Sequence, residues 1–141
     1  MPDKPRYGAQ TKARKAALDI LFAADQRGQG IVETLDEHRA LTETTIRPLT
    51  DDLVRGVAAH LEQIDERLSA CLSAKWTVER MPAVDRNLAR IAIFELDHTA
   101  TAAPTVISEA VRLASDLSTD NSAGFLNAVL RSAAKSSPSH T

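Results

Sequence analysis

The sequence predicts an all-α fold, and three observations carry that prediction. Apolar residues recur three and four positions apart through most of the chain, and no segment alternates with the period of two that marks a half-buried strand. Only Tyr7, Phe22, Trp76, Phe94 and Phe125 are aromatic, so Ala, Leu, Ile and Val must fill the core, which suits close-packed helices better than packed sheets. A length of 141 residues with 43% apolar content fits one domain with a real core.

The elements follow in order. Residues 1–10 contain Pro2, Pro5 and Gly8 without apolar periodicity and read as a mobile arm. A helix is expected from about Thr11 to Arg27, with Ala13, Ala17, Ile20, Leu21 and Ala24 inward, ended by the Gly28 to Gly30 stretch. A short helix is expected over Ile31 to His38, with Ile31, Val32 and Leu35 inward, and residues 39–49 are ambiguous. Thr50 reads as an N-cap, with Asp51 and Asp52 in the first turn, where a helix dipole favours them. One long helix should follow, its stripe formed by Val54, Val57, Leu61, Ile64, Leu68 and Cys71.

Trp76-Thr77 starts a break, and Pro82 marks the next start. Val84, Leu88, Ile91, Ala92 and Leu96 then share a helix face that should end near His98. Pro104 suits the first turn of a further helix running to about Leu117. Ser118 to Ser122 is a polar loop, with Ser122 as the expected N-cap of a last helix carrying Phe125, Leu126, Val129, Leu130 and Ala133. The polar tail 136–141 is expected to be disordered, leaving 1–135 as the domain.

Charge is distributed unevenly. Lys4, Arg6, Lys12, Arg14 and Lys15 stand against Asp3 alone in residues 1–15, giving +4 there and -6 elsewhere for a net charge of -2. A basic arm on an acidic body points to a local anionic partner. Cys71 is the only cysteine, consistent with a reducing compartment, and no apolar run has the length of a membrane span. With no signal-peptide pattern, a cytoplasmic location is expected. None of the five glycines belongs to a phosphate loop, and neither the four histidines nor Cys71 have metal-ligand spacing, so no cofactor, metal or catalytic residue is expected.

Three groups are candidate binding residues, each with a structural alternative. Lys4, Arg6, Lys12, Arg14 and Lys15 can hold a phosphate backbone, or simply form a solvated N-terminus. Asp85, Arg86, Arg90 and Glu95 lie on or near one flank of a helix; Glu95 approaches the apolar side, where a buried carboxylate needs an arginine, so an interhelical ion pair is the alternative. Asn121, Phe125 and Asn127 lie where a loop feeds a helix N-terminus, a place that suits anions and base stacking; the alternative is a capped helix with Phe125 in the core.

Four segments resemble the NusB family of transcription antitermination factors, in the family's order and over nearly the whole chain. They are Arg14-Lys15-Ala16-Ala17 leading into Leu21-Phe22, Pro82 to Leu96 (PAVDRNLARIAIFEL), Pro104 to Ala114 (PTVISEAVRLA) and Phe125 to Leu130 (FLNAVL). The family usually has Asn at the position of Ser108, an acidic residue at Asn121 and Gly at Ala128. The resemblance implies about seven helices in two small bundles packed perpendicular to one another. It implies binding of single-stranded boxA-type RNA through the basic N-terminal region. It also implies pairing with the ribosomal small-subunit protein NusE, action within an RNA polymerase antitermination complex on ribosomal RNA operons, and no enzymatic activity. It puts the protein-partner surface around Asp85, Arg86, Arg90 and Glu95. Two other readings fit the sequence: a protein–protein adaptor that binds no RNA, and the RNA-binding module of a ribosomal RNA methyltransferase.

Overall fold

The computed structural model describes residues 7–42 and 45–137. Among them the chain forms seven α-helices: α1 (Ala9–Arg27), α2 (Ile31–Leu41), α3 (Pro48–Ala59), α4 (Leu61–Ala70), α5 (Ala83–His98), α6 (Ala103–Leu117) and α7 (Ser122–Lys135). A single 3-10 turn, Val78–Arg80, precedes α5, and no strand occurs among the described residues. None of these helices is long and apolar enough to cross a membrane.

α1 ends where the sequence predicts, because Gly28 takes a left-handed φ of 61° and turns the chain back. Gln29 N–H then donates to the Ala24 carbonyl at 2.9 Å. α3 begins earlier than expected. Pro48 occupies its first turn and Arg47 its cap, so Thr50 is not an N-cap. Thr50 is instead buried inside the helix, and its hydroxyl donates to the Ala13 carbonyl at 2.9 Å, tying α3 to α1.

The long helix expected from Thr50 is two helices. His60, at φ -120° and ψ 20°, ends α3 and starts α4. Val54, Val57, Ile64 and Leu68 stay buried on both sides of the break, so apolar spacing alone did not register it. Close to that break, the Phe94 ring of α5 covers the backbone at Gly56 so tightly that a Cβ there would overlap it. Glycine is what lets α3 approach α5.

α5 is the central element, contacting α1, α3, α4, α6 and α7. α1, α2 and α3 pack together, α5, α6 and α7 form a second group, and α1 and α3 join the two groups across α5. Leu21, Leu53, Leu88, Ile93, Leu96, Leu113, Leu126 and Leu130 are fully or almost fully buried at this junction. Both ends of the described chain are tied down. Tyr7 donates its hydroxyl to Asp116 at 2.8 Å, under the guanidinium of Arg112. Ser137 is buried and donates to the Leu96 carbonyl at 2.6 Å, so the folded body extends past the expected tail start at Ser136. α7 starts at Ser122 with Asn121 as its cap, one residue before the expected cap at Ser122.

Candidate nucleic-acid interface

The basic residues at the start of α1 separate into two kinds. Lys12 is exposed and has no ion-pair partner among the described residues. Lys15 meets Asp19 one turn later at 3.0 Å, with the two side chains 39% and 57% exposed. Such an exposed pair contributes at most about 1 kcal/mol, so a phosphate can compete for the lysine. Lys4 and Arg6 lie outside the described residues.

Arg14 differs, and the expectation of a solvated cation there is corrected. It is 3% exposed and points into the body. Its Nη2 and Nε donate to the two carboxylate oxygens of Glu95 at 2.7 and 3.0 Å, and Nη1 donates to Glu109 at 3.0 Å. Thr11 also donates to Glu109, at 2.8 Å. The Glu95 hydrogen bonds hold the guanidinium above its ordinary pKa against the opposing effect of burial. α1 runs antiparallel to α5, so Arg14 faces Glu95 near one end and Asp25 faces Arg86 near the other.

The group nominated for a protein partner is likewise turned inward. Asp85 is 3% exposed and accepts the hydroxyls of Ser118 at 2.6 Å and Ser122 at 2.8 Å, which fastens α5 to the α6–α7 loop. Arg86 donates to Asp25 at 2.7 Å and to the Met81 carbonyl at 2.9 Å. Arg90 grips both oxygens of Asp65 at 2.8 and 2.9 Å. Burial pushes the Asp25 carboxyl up, but hydrogen bonds from Arg86 and Asn87 outweigh it and leave the carboxyl below its ordinary pKa. Glu95, 2% exposed, belongs to Arg14. The physical reason is the central position of α5. Flanks that would meet solvent on a peripheral helix here meet α1, α4 and the α6–α7 loop.

The third group is divided. Phe125 is half-buried, and the Trp76 ring lies 5.5 Å from it at 49°. With Pro82, Thr119, exposed Asn121 and the edge of Asp85, they line a cavity of about 200 Å³. Asn127 is not part of it and lies on the outer face between α6 and α7, beside Ile107 and Arg131. Trp76, 42% exposed, is the residue that sequence reading missed. It marks a break in the sequence, and the available signal was a large aromatic in a loop with no helical stripe to join.

Tyr7 connects these regions. Its partner Asp116 lies near the end of α6, five residues before Asn121, so the chain at Tyr7 is held at the helix end that leads into the loop carrying Asn121. Exposed cations, an aromatic pair and a side-chain amide are the groups that hold an unpaired nucleic-acid strand. No group of three potential metal ligands occurs among the described residues.

Comparison with known proteins identifies the family. Residues 11–135 match the model of the NusB family. A transcription antitermination protein NusB from Cutibacterium acnes is 51% identical over 121 residues, which are 86% of this chain and 46% of the relative. This chain therefore spans about half the length of that relative. The NusB of a Nocardioides species is 46% identical over 132 residues, covering 93% of this chain and 97% of its own. Among solved structures, T. maritima NusB superposes with a TM-score of 0.80 at 30% identity over 94% of both chains. A chain in the crystal structure of antitermination factors NusB and NusE in complex with dsRNA superposes with a TM-score of 0.77 at 25% identity, over 89% of this chain and 96% of that one. With the match running from the first turn of α1 to the end of α7, the chain belongs to the NusB family.

Proposed function

We propose that this protein is a cytoplasmic transcription antitermination factor that binds single-stranded boxA-type RNA together with the ribosomal protein NusE. In this reading it works within an RNA polymerase complex that supports ribosomal RNA transcription, by binding and without catalysis. The observation that carries the reading is the Tyr7–Asp116 hydrogen bond, which holds the chain just before α1 at the end of α6 that leads into Asn121, a residue lining one cavity with the Trp76–Phe125 pair. Lys4, Arg6, Lys12 and Lys15 supply phosphate contacts. Phe125 and Trp76 offer ring faces to an unpaired base, and Asn121 offers amide donors and an acceptor. Arg14 positions α1 from within and is left out of the phosphate set. The support for NusE is that a related chain of the same fold was crystallised with NusE and dsRNA.

The test is a titration of a boxA-like RNA strand at several salt concentrations, with and without NusE. Four phosphate contacts to a single strand give a slope of log affinity against log salt of about -2.8. Replacing Lys12 and Lys15 by Ala is expected to reduce its magnitude by about 1.4. Trp76→Ala is expected to weaken binding by about 1–3 kcal/mol with the slope unchanged, as stacking carries no counterion release. An unchanged slope in the lysine double variant overturns the assignment. Equal affinity for boxA-like and scrambled strands in the presence of NusE overturns the sequence preference.

A further inference from the structure

The outer face of α6 and α7 carries a groove of about 800 Å³ whose apolar floor the reading above does not use, although Asp116 on its wall holds Tyr7. Ile107, Val111, Ala123 and Ala134 form a partly buried apolar floor. Arg131 and Lys135 stand exposed along the α7 edge, one helical turn apart. From the geometry we infer that this groove is a docking site for an acidic amphipathic helix of a partner protein.

Two packed helices with an apolar furrow between them are a seat for a third helix. From Ala123 to Lys135 the furrow runs about 18 Å, the length of roughly three helical turns. The charges select the flank of the incoming helix. Arg131 and Lys135 are like charges at i and i+4, an arrangement that repels, and neither has an ion-pair partner among the described residues. Arg14, Arg55, Arg67, Arg86 and Arg90 are by contrast all paired within the chain. The one carboxylate lining the groove, Asp116, already accepts the Tyr7 hydroxyl. A row of Asp or Glu along one side of the partner helix supplies the missing counter-charge.

Other occupants fit less well. The chain's own first six residues carry Lys4 and Arg6 against Asp3, the wrong sign for this rim. A second copy docked on this face brings no free carboxylate to Arg131 and Lys135, because the one in the groove, Asp116, already accepts from Tyr7. A nucleic-acid backbone gains little from a floor of Ile107, Val111 and alanines.

The test is selection of a displayed library of helical 14-residue peptides against the full chain, followed by titration of the enriched peptides. Expected are sequences with apolar residues at i, i+3, i+4 and i+7 and an excess of Asp and Glu, which shift the methyl resonances of Ile107 and Val111 on binding. Arg131→Glu combined with Lys135→Glu is expected to weaken binding at least tenfold while leaving thermal unfolding and RNA affinity unchanged. Ile107→Gln, which removes floor apolarity and keeps the rim, is expected to weaken it as well. The inference is overturned if nothing is enriched, if enriched peptides are basic or bind elsewhere, or if charge reversal leaves affinity unchanged. It is also overturned if a single-stranded RNA shifts the Ile107 and Val111 methyls and displaces the peptide, which makes the groove a nucleic-acid surface.

Discussion

Arg14→Ala separates a structural role from a binding one more sharply than any other change in the basic cluster. The guanidinium is 3% exposed and Glu95 2% exposed, so the variant leaves the Glu95 carboxylate buried without its two charged hydrogen bonds at 2.7 and 3.0 Å. Removing one partner of a buried pair typically costs about 3–5 kcal/mol, because the remaining charge is desolvated and uncompensated. Glu109 loses a contact too, but it keeps the Thr11 hydroxyl and its side chain is 15% exposed, so its share is smaller. A loss of about 4 kcal/mol lowers the melting temperature of a domain this size by roughly 10–20 °C. The assay is urea and thermal unfolding followed by circular dichroism, for Arg14→Ala, Glu95→Met and the double variant Arg14→Met with Glu95→Met. The double variant is expected to recover most of the loss, since no unpaired charge then remains at the Glu95 position. A cost below about 1 kcal/mol for Arg14→Ala, together with a salt slope for RNA reduced by about 0.7, refutes this reasoning and returns Arg14 to the phosphate contacts.

Three further changes probe the fold around α5. Gly56→Ala puts a Cβ inside the Phe94 ring and is expected to cost about 1–3 kcal/mol in urea unfolding, with partial rescue by Phe94→Leu; a cost near zero refutes the close approach. Asp85→Lys is expected to abolish cooperative unfolding, because it buries an ammonium where Ser118 and Ser122 donate; a folded variant with altered NusE affinity alone would restore Asp85 to a partner surface. His98 is held below its ordinary pKa of 6.5, first by burial and then by the neighbouring His60, with Asp97 opposing. The unfolded chain therefore takes up this proton before the folded one does, so stability should fall as pH drops below about 6.5 and level off once folded His98 is protonated. His98→Asn should flatten that part of a stability profile; a variant with the full slope shows that another group titrates.

Much of the fold was legible because helix periodicity and stop signals are local. Gly28, Pro48, Pro82 and Pro104 all stand at helix ends, where φ or a missing N–H decides the backbone without help from distant residues. The break at His60 was not legible, because Leu61, Ile64 and Leu68 continue the stripe of Val54 and Val57 as though the helix were unbroken. At the break Phe94 lies over Gly56 and the His60 ring stacks on His98 with centroids 4.0 Å apart, contacts with α5 that no local pattern in the sequence signals.

The site was harder to read for a related reason. A cation in a sequence carries the same charge whether it meets solvent or a buried carboxylate, and only the packing of helices far apart in the chain decides which. Arg14 and Lys15 are neighbours, yet α1 turns the first towards Glu95, 81 positions away, and leaves the second to pair weakly with Asp19 at the surface. The same sorting removes Arg86 and Arg90 by giving them Asp25 and Asp65. Once the fold has taken these arginines, the cations left without ion pairs include Lys12 on α1 and Arg131 with Lys135 on α7. Such exposed cations are hydrated in the free protein and open to an outside anion, and only the Arg131–Lys135 pair borders an apolar floor, which is the physical ground for assigning it a different partner from Lys12.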